Sequence, residues 1–223
     1  MFIELVDVFR CIRPHDQMAL VLAADRTTGR DVVEGVLGCP TCQTRYPIRG
    51  GVADFRDDPQ SPFSSPSSSP PPVTDEVVRL AALLGLADPG GIIVLAGTWA
   101  GMAHDLLDLV DGVQVIVLDA PAATASGGGI SPVRTGTVLP LGGAKVRGFA
   151  VDESGGRASL VDQAASALVS GGRLLAPAHT RLPDGMRELA RDDRHWVAAR
   201  EKRDGAGFPL GRGQRLPPSP NHE

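Results

Sequence analysis

Residues 91–119 read GIIVLAGTWAGMAHDLLDLVDGVQVIVLD, and this stretch decides the fold. The apolar run at 92–96 is long enough for a buried strand, and a glycine-rich turn follows it. Residues 102–110 have the apolar spacing of a helix, and 115–118 are again a short apolar run that ends at Asp119. A strand, a tight turn, a helix and a second strand in this order predict a βαβ unit with parallel strands.

The chain on both sides of this unit continues the alternation of helix and strand patterns. It predicts helices at 77–86, 158–169 and 184–191, and strands at 147–151, 173–176 and 196–199. Such an alternation is typical of a mostly parallel sheet that is covered by helices on both faces. We therefore predict an α/β, Rossmann-like fold for this part of the chain.

In an open parallel sheet, a ligand binds at the carboxyl ends of the strands. The turn that contains Gly97 and Gly101 lets a ligand approach the backbone, because glycine has no Cβ and tolerates positive φ. Asp119 ends the next strand, where a carboxylate can accept hydrogen bonds from two ribose hydroxyls. Tight helix packing and a solvated carboxylate explain the same residues equally well, and that alternative stays open.

A Pro/Ser-rich run divides the chain, since 12 of the 14 residues at 59–72 are Pro or Ser. Such a composition does not form a packed core and indicates an extended linker. We predict a small α+β domain at 1–58, a linker at 59–74, a Rossmann-like domain at 75–203 and a flexible tail at 204–223. A domain as small as the first often needs a metal ion for stability.

The first domain contains all three cysteines of the chain. Cys39 and Cys42 form a CxxC pair in a turn-rich segment, which suits two corners of a tetrahedral zinc site. Cys11 and His15 are the candidates for the other two corners. Two alternatives stay open: an empty site in which Cys11 is a small core residue, and a redox-active CxxC pair.

Charge and hydropathy exclude several classes of function. The formal net charge of −4 does not support a basic nucleic-acid clamp, so RNA is a weak candidate partner and a protein partner is favoured. No apolar run reaches the length of a membrane span, and the N-terminal segment carries Glu4 and Asp7 rather than a basic signal-peptide region. We expect a cytoplasmic protein that does not interact with a membrane.

The segments FIELVDVFRC and CPTCQTRYPIRGGVADF resemble the small zinc-ribbon proteins that activate tRNA, rRNA and release-factor methyltransferases. The resemblance covers nearly all of residues 2–55 and is most specific at 39–52. It implies a zinc-ribbon fold in which a helix precedes the first metal-binding turn. The chain departs from that family at the first turn, where Cys11 and His15 stand in place of a CxxC pair.

Residues 77 to about 200 resemble class I S-adenosylmethionine-dependent methyltransferases, through VLPLGGAKVRGFAVDE and SLVDQAASALVSGGRLLAP. The resemblance implies that Gly97, Trp99, Gly101 and Asp119 line a pocket for S-adenosylmethionine. The family's first motif has an acid where this chain has Leu95 and a glycine where it has Trp99. The indole would then occupy part of the methionine side of the pocket, unless Trp99 packs outward on a neighbouring helix.

Catalytic residues are not evident from the sequence. Asp152 or Glu153, after a strand, can serve as a base, although carboxylates at strand ends are usually just solvated. His179 can reach the mouth of the pocket, but a structural or idle role is the favoured alternative, and His104 is expected to be packed or exposed rather than catalytic. We therefore predict a pseudo-methyltransferase that acts as a binding or activating partner. The alternative is an active methyltransferase that acts on RNA or protein, and a nucleotide-binding oxidoreductase fits the order of the segments less well.

Overall fold

The computed structural model describes residues 1–16, 18–59, 74–120, 126–153 and 158–202. The predicted tail lies outside the described residues, and so does the predicted linker apart from Pro59 and Thr74 at its two ends. Among the described residues, no helix has the length and apolar character that crossing a membrane requires.

The described residues contain eleven strands and three α-helices. The strands are β1 (Val21–Thr28), β2 (Asp31–Gly38), β3 (Arg45–Arg49), β4 (Val52–Asp54), β5 (Gly91–Ala96), β6 (Val113–Leu118), β7 (Ile130–Arg134), β8 (Val146–Ala150), β9 (Leu168–Pro177), β10 (Met186–Arg191) and β11 (His195–Arg200). The helices are α1 (Thr74–Leu84), α2 (Ala103–Leu109) and α3 (Ala158–Ala167), and two 3₁₀ turns cover Ile3–Asp7 and Gly97–Met102.

All eleven strands form one sheet in the order β1-β2-β3-β4-β7-β6-β5-β8-β9-β11-β10. Neighbouring strands from β4 to β9 in this order are parallel, and the pairs at both ends of the sheet are antiparallel. The central order β7-β6-β5-β8-β9 is the 3-2-1-4-5 order of a Rossmann-like sheet. The predicted α/β fold with a mostly parallel centre is confirmed.

The N-terminal strands extend this sheet rather than forming a separate one. Strand β4 pairs in parallel with β7, where Ala53 is the partner of Val133. A second backbone contact lies further along, because the N–H of Gly142 donates to the carbonyl of Val8 at 2.7 Å. The N-terminal segment is thus attached to the Rossmann-like segment at several places, including a hydrogen bond from the N–H of Phe2 to the hydroxyl of Ser131 at 2.9 Å.

Two apolar cores lie on opposite faces of the sheet. One contains α1 and α2 packed on the strands, with Leu80, Leu95 and Leu106 fully buried. The other contains α3 and the buried side chains of the N-terminal segment, including Phe9 and Phe55. Helices therefore cover both faces, as the sequence predicts, and one core is shared by the N-terminal and Rossmann-like segments.

The structure corrects three predictions of secondary structure. Residues 184–191 were predicted as a helix, but residues 186–191 form β10, which pairs with β11 at the edge of the sheet. Strand β7 is absent from the sequence prediction. The segment before Cys11, where the resemblance implies a helix, forms only the short 3₁₀ turn Ile3–Asp7.

Candidate functional site

The four predicted metal ligands come together at one end of the N-terminal segment. Their ligand atoms, the sulfurs of Cys11, Cys39 and Cys42 and a ring nitrogen of His15, all lie within 4.8 Å of one another. Residues 39–44 form a tight turn, because the N–H of Cys39 donates to the carbonyl of Thr44 at 2.9 Å. This turn directs the sulfurs of Cys39 and Cys42 towards the segment that carries Cys11 and His15.

The distances within the cluster suit a tetrahedral metal ion. Cys42 Sγ lies 3.6 Å from Cys11 Sγ and 3.3 Å from His15 Nε2, and Cys39 Sγ lies 3.5 Å from His15 Nε2. Zinc bound at about 2.3 Å to sulfur and about 2.0 Å to nitrogen places neighbouring ligand atoms about 3.5–3.8 Å apart. The Cys₃His set therefore fits zinc in both geometry and chemistry.

Groups around the cluster orient its ligands. His15 Nδ1 lies 2.6 Å from the carbonyl oxygen of Asp16, so a proton on Nδ1 leaves the Nε2 lone pair facing the sulfurs. Cys11 Sγ lies 3.2 Å from the hydroxyl of Tyr46, which is itself buried. Cys42 Sγ lies 3.2 Å from the hydroxyl of Thr44. Tyr46 and Thr44 carry no metal-ligand signature, and the sequence did not identify them.

These surroundings act differently on the thiols. Hydrogen bonds from the hydroxyl and N–H of Thr44 lower the pKa of Cys42 to about 6, and His15 contributes in the same direction. Burial raises the pKa of Cys11, although Tyr46 and the N–H of Arg13 partly oppose it. The hydrogen bond to Asp16 raises the pKa of His15, with Cys42 contributing. Metal ligation needs thiolates and a neutral imidazole, so Cys42 is the ligand most ready to bind at neutral pH.

A second group of predicted site residues lies at the carboxyl ends of the central strands. Ala96 of β5 pairs with Leu118 of β6, so Gly97 and Asp119 follow neighbouring strands at the same edge of the sheet. Gly97 has a φ of +70° and begins the 3₁₀ turn that leads into α2. Gly101 lies exposed near the end of the same turn. The structure thus places these three residues on adjacent loops.

Asp119 is held by the end of the next strand, β7. Its two carboxylate oxygens accept hydrogen bonds from the N–H of Thr135 at 2.8 Å and from the Thr135 hydroxyl at 2.7 Å. The backbone of Asp119 has a φ of +51°, a left-handed conformation that is uncommon outside glycine. Asp54 makes the largest contribution to raising the pKa of the Arg56 guanidinium, and the charge of Asp119 raises it further. Arg56, from the N-terminal segment, therefore lies near Asp119.

The loop after β5 is tied to the end of β8. The carboxylate of Asp152 accepts hydrogen bonds from the N–H of Thr98, at 2.7 Å, and from the Thr98 hydroxyl. Asp152 is buried, with 8% of its surface exposed. In Rossmann-like proteins the N–H groups of this loop are the ones that face an anionic part of the ligand. Here one of them is already bonded to a carboxylate of the same chain.

Trp99 extends along the strand ends away from β6. The centroid of its indole lies 5.5 Å from the centroid of the imidazole of His195, the first residue of β11. Strands β8 and β9 lie between β5 and β11, so the ring lies on the side opposite Asp119. Trp99 packs against the core that contains α1 and α2, and its Nε1 is buried without a hydrogen-bond partner among the described residues. The predicted alternative to an indole inside the pocket is a Trp99 that packs outward on a neighbouring helix; here the ring contact of Trp99 is with the first residue of β11.

The remaining candidate residues are less closely associated with the site. His179 is exposed, and its Nδ1 lies 3.7 Å from a carboxylate oxygen of Glu153. His104 is exposed on α2. His195, which the sequence did not identify, is half-buried beside Trp99, and burial lowers its pKa. No local pattern around His195 indicates this position, because it depends on the pairing of β11 with β9.

Comparisons with known proteins find chains of similar structure among solved structures. No protein-family model matches the chain, and a search of curated proteins finds no match. The chain is similar to a chain from the complex between the Haloferax volcanii Trm112 methyltransferase activator and a methyltransferase, at 15% identity and a TM-score of 0.43, over 57% of this chain and 92% of that one. It is also similar to an S-adenosyl-L-methionine-dependent methyltransferase from Methanococcus maripaludis, at 10% identity and a TM-score of 0.43, over 59% and 86% of the two chains.

A third similar structure is the geranyl diphosphate C-methyltransferase from Streptomyces coelicolor A3(2), at 20% identity and a TM-score of 0.39. The match covers 46% of this chain and 42% of that one, so this chain spans less than half the length of that enzyme. All three TM-scores lie below 0.5, so these similarities carry no argument about function, which depends on this chain's own residues. Those residues define a Rossmann-like α/β protein that carries a Cys₃His cluster.

Proposed function

We propose that this chain is a zinc-containing, methyltransferase-like protein that acts as a binding or activating partner and has impaired or absent catalysis. The observation that carries this proposal is the hydrogen bonding of Thr98 to Asp152, which closes the loop after β5. Leu95 adds to it, because it stands where the resemblance implies an acid and its side chain is fully buried in an apolar core. S-adenosylmethionine would then lack a carboxylate partner and an open loop at its methionine end.

The zinc-ribbon resemblance supports the partner role, since the proteins of that family activate other methyltransferases. The structure adds a surface that suits such a role. Strand β1 is an outer strand of the sheet and is almost entirely exposed, including Val21 with 62% of its surface accessible. An exposed edge strand can accept a strand from another protein through backbone hydrogen bonds.

Calorimetric titration of S-adenosylmethionine and S-adenosylhomocysteine into the purified protein tests the impaired site. We expect no micromolar binding to the wild type, and tighter binding to a double variant with Trp99→Gly and Asp152→Asn. The asparagine still offers an oxygen to Thr98 but carries no charge, so it separates charge from simple loss of contact. Micromolar binding of S-adenosylmethionine by the wild type would contradict the proposal.

The alternative, an active methyltransferase that acts on RNA or protein, is favoured by the adjacent positions of Gly97 and Asp119 at the ends of β5 and β6. Transfer of a labelled methyl group from S-adenosylmethionine to protein or RNA fractions distinguishes the two. Label that is incorporated by the wild type and lost in Asp119→Asn would support the enzyme. The net charge of −4 makes protein the more suitable fraction to test first.

A further inference from the structure

Strands β1, β2 and β3 bury one side of the sheet and leave the other side open. Leu37, Tyr46 and Ile48 point to the buried side, into the core that also contains α3. The core on the opposite side is formed by α1 and α2 and includes no described residue of β1, β2, β3 or β4. These two helices therefore do not cover the three outer strands.

We call the open side of these strands the outer face, and its side chains on either side of Gly38 are Val21, Ala23, Val36, Arg45, Pro47 and Arg49. Val36 pairs with Ala23 of β1 and with Pro47 of β3, so these three side chains form an apolar row across the strands. In the next row, Gly38 pairs with Val21 and Arg45. The apolar part of the outer face is thus continuous over three strands.

The outer face contains an open depression of about 260 Å³ at Gly38, where no side chain fills the middle of the row. Val21, Val36 and Pro40 are among the residues that line it, and 62% of the surface of Val21 is exposed. A Cβ at Gly38 would meet one atom within 4 Å, the carbonyl oxygen of Val21 at 3.9 Å. An apolar side chain of another molecule placed here would remove apolar surface of both molecules from water, which favours binding.

Two positive charges without partners lie beside this apolar surface. Arg45 and Arg49 are exposed, and neither has an ion-pair or hydrogen-bond partner in the part of the chain that the structure describes. Glu34, on the same face of β2, is already bonded to Arg26 at 3.3 Å and to the N–H of Gly50 at 3.0 Å. The charge of the outer face is therefore complementary to a partner that carries carboxylates.

The dimensions of the outer face suit one α-helix. Neighbouring strands lie about 4.8 Å apart, so three strands make a surface about 14 Å wide, and a helix with its side chains is about 10–12 Å across. Such a helix would continue the layer that α1 and α2 form on the same side of the sheet. Arg45 and Arg49 are four residues apart in β3. Their Cα atoms are therefore about 13 Å apart, a distance that carboxylates about two helical turns apart can match through the long arginine side chains.

We propose that the outer face binds an amphipathic helix of a partner protein. An apolar side chain of this helix lies in the depression at Gly38, and carboxylates beside its apolar stripe pair with Arg45 and Arg49. This inference rests on the proposed function and deepens it, because it names the kind of segment that the partner presents. It differs from strand addition at the edge of β1, since it uses side chains of the sheet face rather than backbone groups.

The test is a fluorescence anisotropy titration of two labelled synthetic peptides with the full chain. Both peptides are alanine-rich helices of about 18 residues with a leucine stripe. One carries two glutamates about two helical turns apart beside the stripe, and the other carries lysines at the same positions. We expect the glutamate peptide to bind at least about tenfold more tightly. Equal binding of the two peptides, or a dissociation constant of the glutamate peptide above about 1 mM, would overturn the inference.

Variants locate the binding surface. Replacing both Arg45→Glu and Arg49→Glu should reverse the preference, so that the lysine peptide binds more tightly. Gly38→Phe should weaken the glutamate peptide at least about tenfold, because its ring fills the depression, and the fold should survive since the nearest atom to the new Cβ is 3.9 Å away. Arg187→Glu, at an exposed position of β10 on the other edge of the sheet, is the matched control and should change neither affinity.

An unreversed preference in the double variant, or undiminished binding to a folded Gly38→Phe, would contradict the proposed surface. Circular dichroism and tryptophan fluorescence of each variant establish that it is folded. Sedimentation of the chain alone examines a different occupant of the same face. A dimer that the double variant abolishes would mean that a second copy of the chain covers the outer face, and the partner-helix inference would be wrong.

The outcomes also separate this inference from the proposed function. If neither peptide binds and S-adenosylmethionine also fails to bind, the helix inference fails while the impaired site stands. If the wild type binds S-adenosylmethionine with micromolar affinity, the proposed function is wrong whichever peptide binds.

Discussion

The four candidate zinc ligands differ in how strongly their surroundings favour the form that binds metal. Cys42 is exposed and has a pKa lowered to about 6, whereas Cys11 is buried and has a raised pKa. A cation placed between them would favour the thiolate of Cys11 and offset the effect of its burial. The contact between Cys11 and Tyr46 suits a bound metal ion, because the Tyr46 hydroxyl would then donate a hydrogen bond to a metal-bound thiolate.

Metal content tests this arrangement directly. We expect about one zinc ion per chain in the purified protein, since the cluster offers four ligand atoms that all lie within 4.8 Å of one another. Cys39→Ser should lose zinc, because a serine hydroxyl is a far weaker ligand than a thiolate. His15→Cys should keep zinc, since it creates a Cys₄ site of the kind that structural zinc sites also use. Elemental analysis after dialysis measures both.

The result that contradicts the site is a wild-type zinc content below about half an ion per chain. A Cys39→Ser variant with undiminished zinc would also contradict it, because the ion would then lie elsewhere. Ser166→Ala, on α3, is a suitable control, because its hydroxyl donates within that helix and is exposed.

His195 predicts a dependence of stability on pH. Burial lowers the pKa of His195 in the folded protein, so the unfolded chain takes up the proton more readily. Its contribution to stability is complete above the unfolded pKa of about 6.5 and is lost as the pH falls towards the folded pKa. We expect His195→Phe, which keeps an aromatic ring beside Trp99, to lose less stability than the wild type between about pH 7.5 and pH 5.5.

Denaturant unfolding of both proteins at several pH values measures this difference. Cys42, with its pKa lowered to about 6, titrates in the same range, but it is common to both proteins and its effect cancels in the comparison. His104→Gln on the surface of α2 is the control and should follow the wild type. Equal pH dependence in the wild type and His195→Phe would show that the burial of His195 has no such effect.

At the scale of elements, the hairpin of β1 and β2 depends on a glycine in its second strand. A Cβ at Gly35 would lie 2.6 Å from the carbonyl oxygen of Ala23 and 3.1 Å from the Cα of Ala24. These contacts are with backbone atoms, which cannot move aside without disturbing the pairing of β1 with β2. We expect Gly35→Ala to lower the free energy of unfolding by about 1–3 kcal/mol.

Gly38→Ala is the matched control in the same strand. Its nearest neighbour would be the carbonyl oxygen of Val21 at 3.9 Å, so the added methyl group meets no close atom. Its effect on the free energy of unfolding should stay within about 0.5 kcal/mol. Equal effects of the two substitutions in urea unfolding would mean that the close approach at Gly35 is not important for stability.

Elements whose own apolar pattern determines their structure were predictable from the sequence. Strands β5, β6, β8 and β9 are short apolar runs at the centre of the sheet, and the predicted runs lie within them or overlap them. Residues 186–191, by contrast, consist mainly of helix-favouring residues but form β10, because pairing with β11 overrides local propensity. Strand β7 contains Pro132, and proline is uncommon inside a sheet, so the local sequence does not indicate a strand there.

In the candidate sites too, the sequence predicts what depends on nearby residues and not what depends on the pairing of strands. The grouping of Cys11, His15, Cys39 and Cys42 was predictable, because cysteines and a histidine at short spacings suit a shared metal site. The contacts of Asp119 with Thr135 and of Asp152 with Thr98 were not, since each joins loops that only the strand order brings together. The spacing of these residues along the chain does not show that β6 lies beside β7 or that β5 lies beside β8.

At the scale of the whole molecule, the N-terminal and Rossmann-like segments share one sheet and one core. Strand β4 joins β7, and Phe55 directly after it donates its N–H to the carbonyl of Arg134 at 2.9 Å. The Phe55 ring is fully buried, with its centroid 4.7 Å from that of the Tyr46 ring, and the Tyr46 hydroxyl contacts Cys11 of the Cys₃His cluster. A continuous set of contacts therefore links the Cys₃His cluster to the Rossmann-like strands.

This arrangement predicts that the two segments unfold together. Both tryptophans, Trp99 and Trp196, lie in the Rossmann-like segment, so their fluorescence reports on that segment alone. Phe55→Ala leaves a cavity in the shared core and should lower the free energy of unfolding by about 3–5 kcal/mol, with tryptophan fluorescence and circular dichroism giving the same midpoint. Val21→Ala, at an exposed position of β1, should leave the free energy of unfolding within about 0.5 kcal/mol of the wild-type value. A tryptophan transition that Phe55→Ala does not shift would mean that the Rossmann-like segment is stable without the N-terminal strands, and that the shared sheet does not make the protein one cooperative unit.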